Sequence, residues 1–358
     1  MILVDGHLDM AFNALCFGRD PRESARAVRR READGPSRKW RGECMVGLPE
    51  MRAARVALVM GTLFAPRLKD VKDSGLDPAL TYETGKEARA IALRQLEVYR
   101  EICGEGQGFR AVRTRSDLED VLAGWKDGRT GDVGLIVLME GADPVVVPED
   151  VPDWRDRGVR LIGPSWRGTR YAGGTGEPGP LTKEGRKLMR EMDGAGTVLD
   201  LSHLADESAH EALGIFEGPV VASHSNPRAV CESDRQIPDD LIRAVAGRDG
   251  VIGAVPFNRM LQAGWSNGDA RVPLQRVGEC IDHVTQTAGT HRVAAVGSDF
   301  DGGFGSEAAP EGMDTIADLP RIADVLSDLR YTDEQIADVL GRNWIRFLER
   351  ALPAGDAG

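Results

Sequence analysis

The sequence predicts an α/β protein folded as a single (β/α)8 barrel, the TIM-barrel architecture, with a long insertion after the first strand. Three observations predict it. Eight apolar runs recur along the 358 residues, most too continuous for a strand with one wet face, so they suit a parallel sheet buried on both sides. Helical periodicity lies between most of them, so strand and helix alternate. No second block of composition and no linker divides the chain, and closing eight strands on themselves leaves no edge to protect. An open doubly wound sheet is the alternative, and residues 1–358 are read as one domain.

In chain order the expected strands are Ile2–Asp9, Val56–Phe64, Val133–Glu140, Val159–Ser165, Gly196–His203, Pro219–His224, Val251–Phe257 and Val293–Asp299. A helix is expected over Glu83–Ile102, where Ala88, Ile91, Ala92, Leu96 and Tyr99 recur at three- and four-residue steps. Leu181–Met192, Pro238–Ala246 and Pro273–Thr287 read the same way. Cys16–Pro49 is the insertion, and between Arg19 and Arg41 it holds eight Arg and one Lys against four acids. It reads as a solvated helix around Ser24–Arg31 over the barrel rim, a lid being the alternative. Trp166–Pro180, rich in Gly and Pro, reads as an ordered loop at that rim, and Pro353–Gly358 as a frayed tail.

Composition narrows the function. Lys+Arg 45 against Asp+Glu 57 leaves a net charge of −12, which disfavours nucleic acid as a partner. No run approaches the roughly 18 apolar residues of a membrane span, and Met1 leads into Ile2-Leu3-Val4-Asp5 without a basic segment and long apolar stretch. The five cysteines are scattered and never paired as Cys-x-x-Cys, which suits reduced thiols. A cytoplasmic protein is therefore expected, and a homodimer is compatible with the sequence.

Polar residues interrupt the apolar runs at their ends. His7 and Asp9 stand two apart, which on a strand points both to one face, where an imidazole and a carboxylate can share a metal. Three further runs end in Glu140, His203 and His224. Burying such groups costs several kcal/mol without a partner, and the C-terminal rim of a barrel gathers catalytic groups. Together these five offer nitrogen and oxygen ligands without sulfur, enough for two divalent ions bridged by a carboxylate. Manganese, cobalt or iron would suit this set as well as zinc. His210, His283 and His291 fall in helical or loop patterns and receive no role. The last run delivers Asp299 and Asp301; Asp299 is the candidate to take and return a proton, and Asp301 the alternative, or a cap for the next loop.

These residues resemble the renal (membrane) dipeptidases of the amidohydrolase superfamily, peptidase family M19. The matching pieces are Asp5-Gly6-His7-Leu8-Asp9, Met139-Glu140-Gly141, Asp200-Leu201-Ser202-His203, Ser223-His224-Ser225, Arg235-Gln236-Ile237-Pro238-Asp239-Asp240 and Gly297-Ser298-Asp299-Phe300-Asp301-Gly302, in the family's order across almost the whole chain. The resemblance implies two zinc ions, one on His7 and Asp9, the other on His203 and His224, with Glu140 bridging them. It implies that a bridging hydroxide attacks the amide of a small dipeptide, that Asp299 handles the proton, and that Arg235 receives the free C-terminal carboxylate. Two positions depart from the family. Trp166 falls where a substrate-contacting histidine is usual, so Arg167 or Arg170 would have to supply charge, and Met260 falls where a tyrosine is usual. These changes leave two alternatives: a metal-dependent hydrolase of another small amide, ester or lactam, or a metal-binding homologue without activity.

Overall fold

The computed structural model describes residues 1–33, 41–72 and 74–355. The strands are β1 (Leu3–Leu8), β2 (Val56–Phe64), β3 (Phe109–Ala111), β4 (Val133–Glu140), β5 (Val159–Gly163), β6 (Val198–Asp200), β7 (Val220–Ala222), β8 (Val251–Ala254) and β9 (Ala294–Val296). They pair in parallel in the order β1-β2-β4-β5-β6-β7-β8-β9. Asp299 N–H donates to the His7 carbonyl at 3.1 Å, drawing the segment after β9 against β1 and nearly closing the barrel. The long pair β2 and β4, buried at every position, runs in unbroken register from Leu58 opposite Gly134 to Phe64 opposite Glu140. It is the side of the barrel with the most continuous apolar sequence.

All eight expected strands are present. Beside them lies β3, which pairs with β4 off the barrel path and was not expected, because only Phe109 of its three residues is buried. The expected helices appear as Gly85–Ile102, Lys183–Ala195, Asp239–Ala246 and Gln275–Ala288. The first begins at a capping box in which Thr84 accepts from Glu87 N–H, and it buries the predicted Ala88, Ile91, Ala92, Leu96 and Tyr99. Tyr99 O–H then donates to the Thr62 carbonyl at 2.7 Å, pinning this helix to β2.

Within the insertion a helix spans Ala25–Glu32. Much of its positive charge serves the fold. Arg19 is buried and bonds Glu32 and the carbonyls of Arg41 and Gly42, while Arg29 bonds Asp314 and the Cys44 carbonyl. Residues 34–40 of the insertion lie outside the described residues, as do 356–358 of the tail, in which Pro353 accepts from Arg115 N–H at 2.9 Å. All five cysteines are free thiols. Among the described residues no helix is long and apolar enough to cross a membrane.

Candidate metal centre and substrate cleft

The five expected ligands and Asp299 converge at the C-terminal ends of the strands. His7 lies inside β1, Asp9 just beyond it, and Glu140 is the last residue of β4. The expected strands that run through His203 and His224 stop short, at Asp200 and Ala222, so both histidines stand in loops. His203 itself adopts a left-handed backbone, φ 67°, in the turn that follows β6. Asp299 and Asp301 do the same at φ 56° and 65°, conformations that cost a non-glycine residue roughly 1–3 kcal/mol unless the surroundings hold them.

Glu140 is the centre of the cluster. Its Oε1 lies 3.1 Å from His203 Nε2 and 3.5 Å from His224 Nε2, and its Oε2 lies 3.6 Å from His7 Nε2. Potential ligand atoms of His7, Asp9 and Glu140 lie within 4.8 Å of one another, and so do those of Glu140, His203 and His224. A third group of the same kind joins His7 and His224 to Asp299. His7 Nε2 is buried among carboxylates with no hydrogen-bond partner. A buried polar atom is rarely left so unless a ligand completes it, and an imidazole nitrogen facing a carboxylate is what a divalent cation requires.

What holds the donors was not singled out from the sequence. The Asp5 carboxylate accepts from both N–H and O–H of Ser298, at 2.7 and 2.5 Å, fixing the residue before Asp299. Asp200 repeats the device on Ser223, at 2.8 and 2.5 Å, fixing the residue before His224. Ser223 Oγ also faces the Nδ1 atoms of His224 and His7, at 2.9 and 3.2 Å. Thr175 Oγ1 faces His203 Nδ1 at 3.0 Å. The available signal was an aspartate two or three residues ahead of a histidine, in both Asp5-Gly6-His7 and Asp200-Leu201-Ser202-His203. Asp301 turns to the insertion and not to the next loop as expected, accepting from the N–H groups of Met45 and Val46 and so anchoring that segment.

Electrostatics divides the cluster. Burial opposes charge on His7, but Glu140, Asp9 and Asp299 outweigh it and raise its pKa to about 9. Burial and the Glu140 charge push Asp9 up to about 7, and burial with Asp9 and Glu140 holds Asp299 well above the usual carboxylate range. Burial and the Arg235 charge bring His203 down to about 4, and His224 falls well below its ordinary value for the same reasons, with His7 adding to them.

The cluster opens into a cavity of about 460 Å³ whose lining includes Asp9, Glu140, His203 and Asp299 together with Arg235, Trp166 and Met260. Arg235 donates to the His224 carbonyl at 2.6 Å and to Ser225 Oγ at 3.2 Å, so its fork is held against the loop that carries His224. Trp166 stands 6.3 Å from the His203 ring. Arg167 shares this cavity, but Arg170 does not. It bonds the carbonyls of Asp143, Val145 and Val146 beside a second cavity and supplies no charge here. His210, His283 and His291 pair with Asp240, Asp239 and Asp338, away from the cluster.

A family model described as membrane dipeptidase (peptidase family M19) matches residues 1–355. The chain belongs to this family. It is thereby an M19 metallo-dipeptidase, a hydrolase of peptide bonds. An uncharacterised Klebsiella pneumoniae protein from the pqqA 5′ region is 32% identical over 201 residues, 54% of this chain and 72% of that protein. The chain spans 39% and 57% of the lengths of two further curated relatives. Among solved structures, the dipeptidase AC of family M19 superposes with a TM-score of 0.78 at 24% identity over 99% of both chains. A Rhodobacter sphaeroides metallopeptidase liganded with a phosphinate mimic of L-Ala-D-Ala gives 0.77 at 23% identity over 98% of this chain and 99% of that one. At such identity these two speak for the fold, and they agree on the barrel.

Proposed function

We propose that this M19 dipeptidase is a binuclear, zinc-dependent enzyme that hydrolyses small dipeptides bearing a free C-terminal carboxylate. The observation that carries the proposal is Glu140, one carboxylate shared by two separate groups of metal-ligand atoms at the base of the cavity. His7 and Asp9 would hold one ion and His203 and His224 the other. Divalent ions there supply Lewis acidity and an acidified water. Asp299, grouped with His7 and His224 at the cluster, would accept a proton at its carboxylate and return it to the leaving amine. Arg235 offers a planar fork for the terminal carboxylate, its backbone contacts setting its direction. Trp166 presents an indole 6.3 Å from the His203 ring and supplies no cationic proton donor. That substitution favours a second reading, a different small amide, ester or lactam as substrate.

A mixed library of L,L- and L,D-dipeptides incubated with zinc-loaded protein tests the proposal. Cleavage is expected, lost on chelation and restored by zinc, and Asp299→Asn is expected to lower turnover about 10²–10⁴-fold with metal retained. Protein shown to hold two metals that cleaves no dipeptide would overturn the reading in favour of the second.

A further inference from the structure

The cavity has two unlike walls. The strands follow the order β1-β2-β4-β5-β6-β7-β8-β9, which places β2 and β4 across the mouth from β7 and β8. On the first side Phe12, Phe64 and Trp166 form one aromatic surface, with ring centroids 5.3 Å apart for Phe12 and Phe64 and 5.1 Å apart for Phe64 and Trp166. Asp70 and Arg167 stand beside it, and the Asp70 carboxylate is already shared between Arg67 at 2.6 Å and Arg167 at 3.2 Å. On the far side stand Arg235 and Arg259. Gln236 and Asn226 both donate to the Met260 carbonyl, at 2.7 and 3.3 Å, which ties the segment carrying Arg259 to the one carrying Arg235.

Between these walls lie the candidate ligands. A dipeptide whose carboxylate meets the arginines and whose amide lies over the ligands must direct its N-terminal side chain toward the aromatic wall. The geometry points to Phe12, Phe64 and Trp166 as the subsite for a large apolar or aromatic N-terminal side chain, an inference that rests on the dipeptidase reading. Such a side chain gains by leaving water against the rings, whereas a lysine there meets an Asp70 carboxylate already shared by two arginines.

Two matched series, Xaa-Ala and Ala-Xaa with Xaa as Ala, Leu, Phe, Lys or Glu, test it. Turnover is read on the zinc-loaded protein and binding by calorimetry on zinc-loaded Asp299→Asn. Phe-Ala and Leu-Ala are expected to exceed Ala-Ala and Glu-Ala in kcat/KM and affinity by about 10–100-fold, with Lys-Ala below Ala-Ala and Ala-Phe close to it. Trp166→Ala is expected to collapse the ratio of Phe-Ala to Ala-Ala, and Trp166→His, which keeps a ring, to lower it less. A flat Xaa-Ala series, a preference confined to Ala-Xaa, or a ratio unchanged in both variants would overturn the subsite. The two readings fail separately: absent turnover of every dipeptide counts against hydrolysis, while the binding ratio alone decides the wall.

Discussion

The group His7, Asp9 and Glu140 differs from the group Glu140, His203 and His224 in where its donors stand and in the charge around them. His7 sits within β1 and is wholly buried among three carboxylates, while His203 and His224 stand on loops beyond their strands, with the Arg235 guanidinium nearby. The same residue type is therefore driven in opposite directions, His7 toward its cation and the other two toward neutral imidazole. Since a metal takes the neutral imidazole and the ionised carboxylate, the second group is ready for a cation near neutral pH and the first must shed protons.

The largest expected effect removes the comparison altogether. Glu140→Gln deprives both proposed sites of their shared carboxylate, so metal content is expected to fall at both and turnover to vanish, measured by elemental analysis beside dipeptide hydrolysis. One site left full would separate the groups and break the bridging assignment. A smaller effect sharpens it. With His7 near 9 and Asp9 near 7, protons compete with metal at the first group, and this competition grows as pH falls through those values. Equilibrium dialysis against zinc is then expected to give about one ion per chain at pH 6 and about two at pH 8.5, with protons released as the second ion enters. Equal filling at both pH values would show that the two groups do not differ in this way.

Legibility in the sequence followed the length of the apolar signal. β2 and β4 are long and buried throughout, and their expected limits match the structure. β6 and β7 have three residues each, and buried residues continue past their ends through Leu201 and Ser223, so hydrophobicity overruns the hydrogen-bonded ladder. The candidate ligands were legible because a polar group interrupting a buried run demands compensation. Asp5, within β1, and Asp200, at the end of β6, are also buried acids, but their compensation comes from serine N–H and O–H groups elsewhere in the chain. Sequence does not display such a partner. Arg170 shows the complementary limit: its place on the Trp166 loop was visible, but its direction depended on the carbonyls of Asp143 and Val145.

Those two aspartates give the smallest and most discriminating contrast. Asp5 and Asp200 grip serines by the same pair of bonds, but the serine held by Asp5 precedes Asp299 and the one held by Asp200 precedes His224. Asparagine keeps the shape and removes the charge, and the loss of such a supporting contact typically costs about 10–100-fold. In Asp200→Asn the loss is expected in zinc affinity at the group containing His224, with turnover recovering as zinc is raised. In Asp5→Asn, Ser298 is released and Asp299 with it, so kcat is expected to fall at saturating zinc and its pH profile to shift. The experiment is a zinc titration of kcat for each variant across pH, with thermal melting to confirm folding. If added zinc rescued both variants equally, the clamps would be two copies of one structural support, and Asp299 would need another explanation for its position.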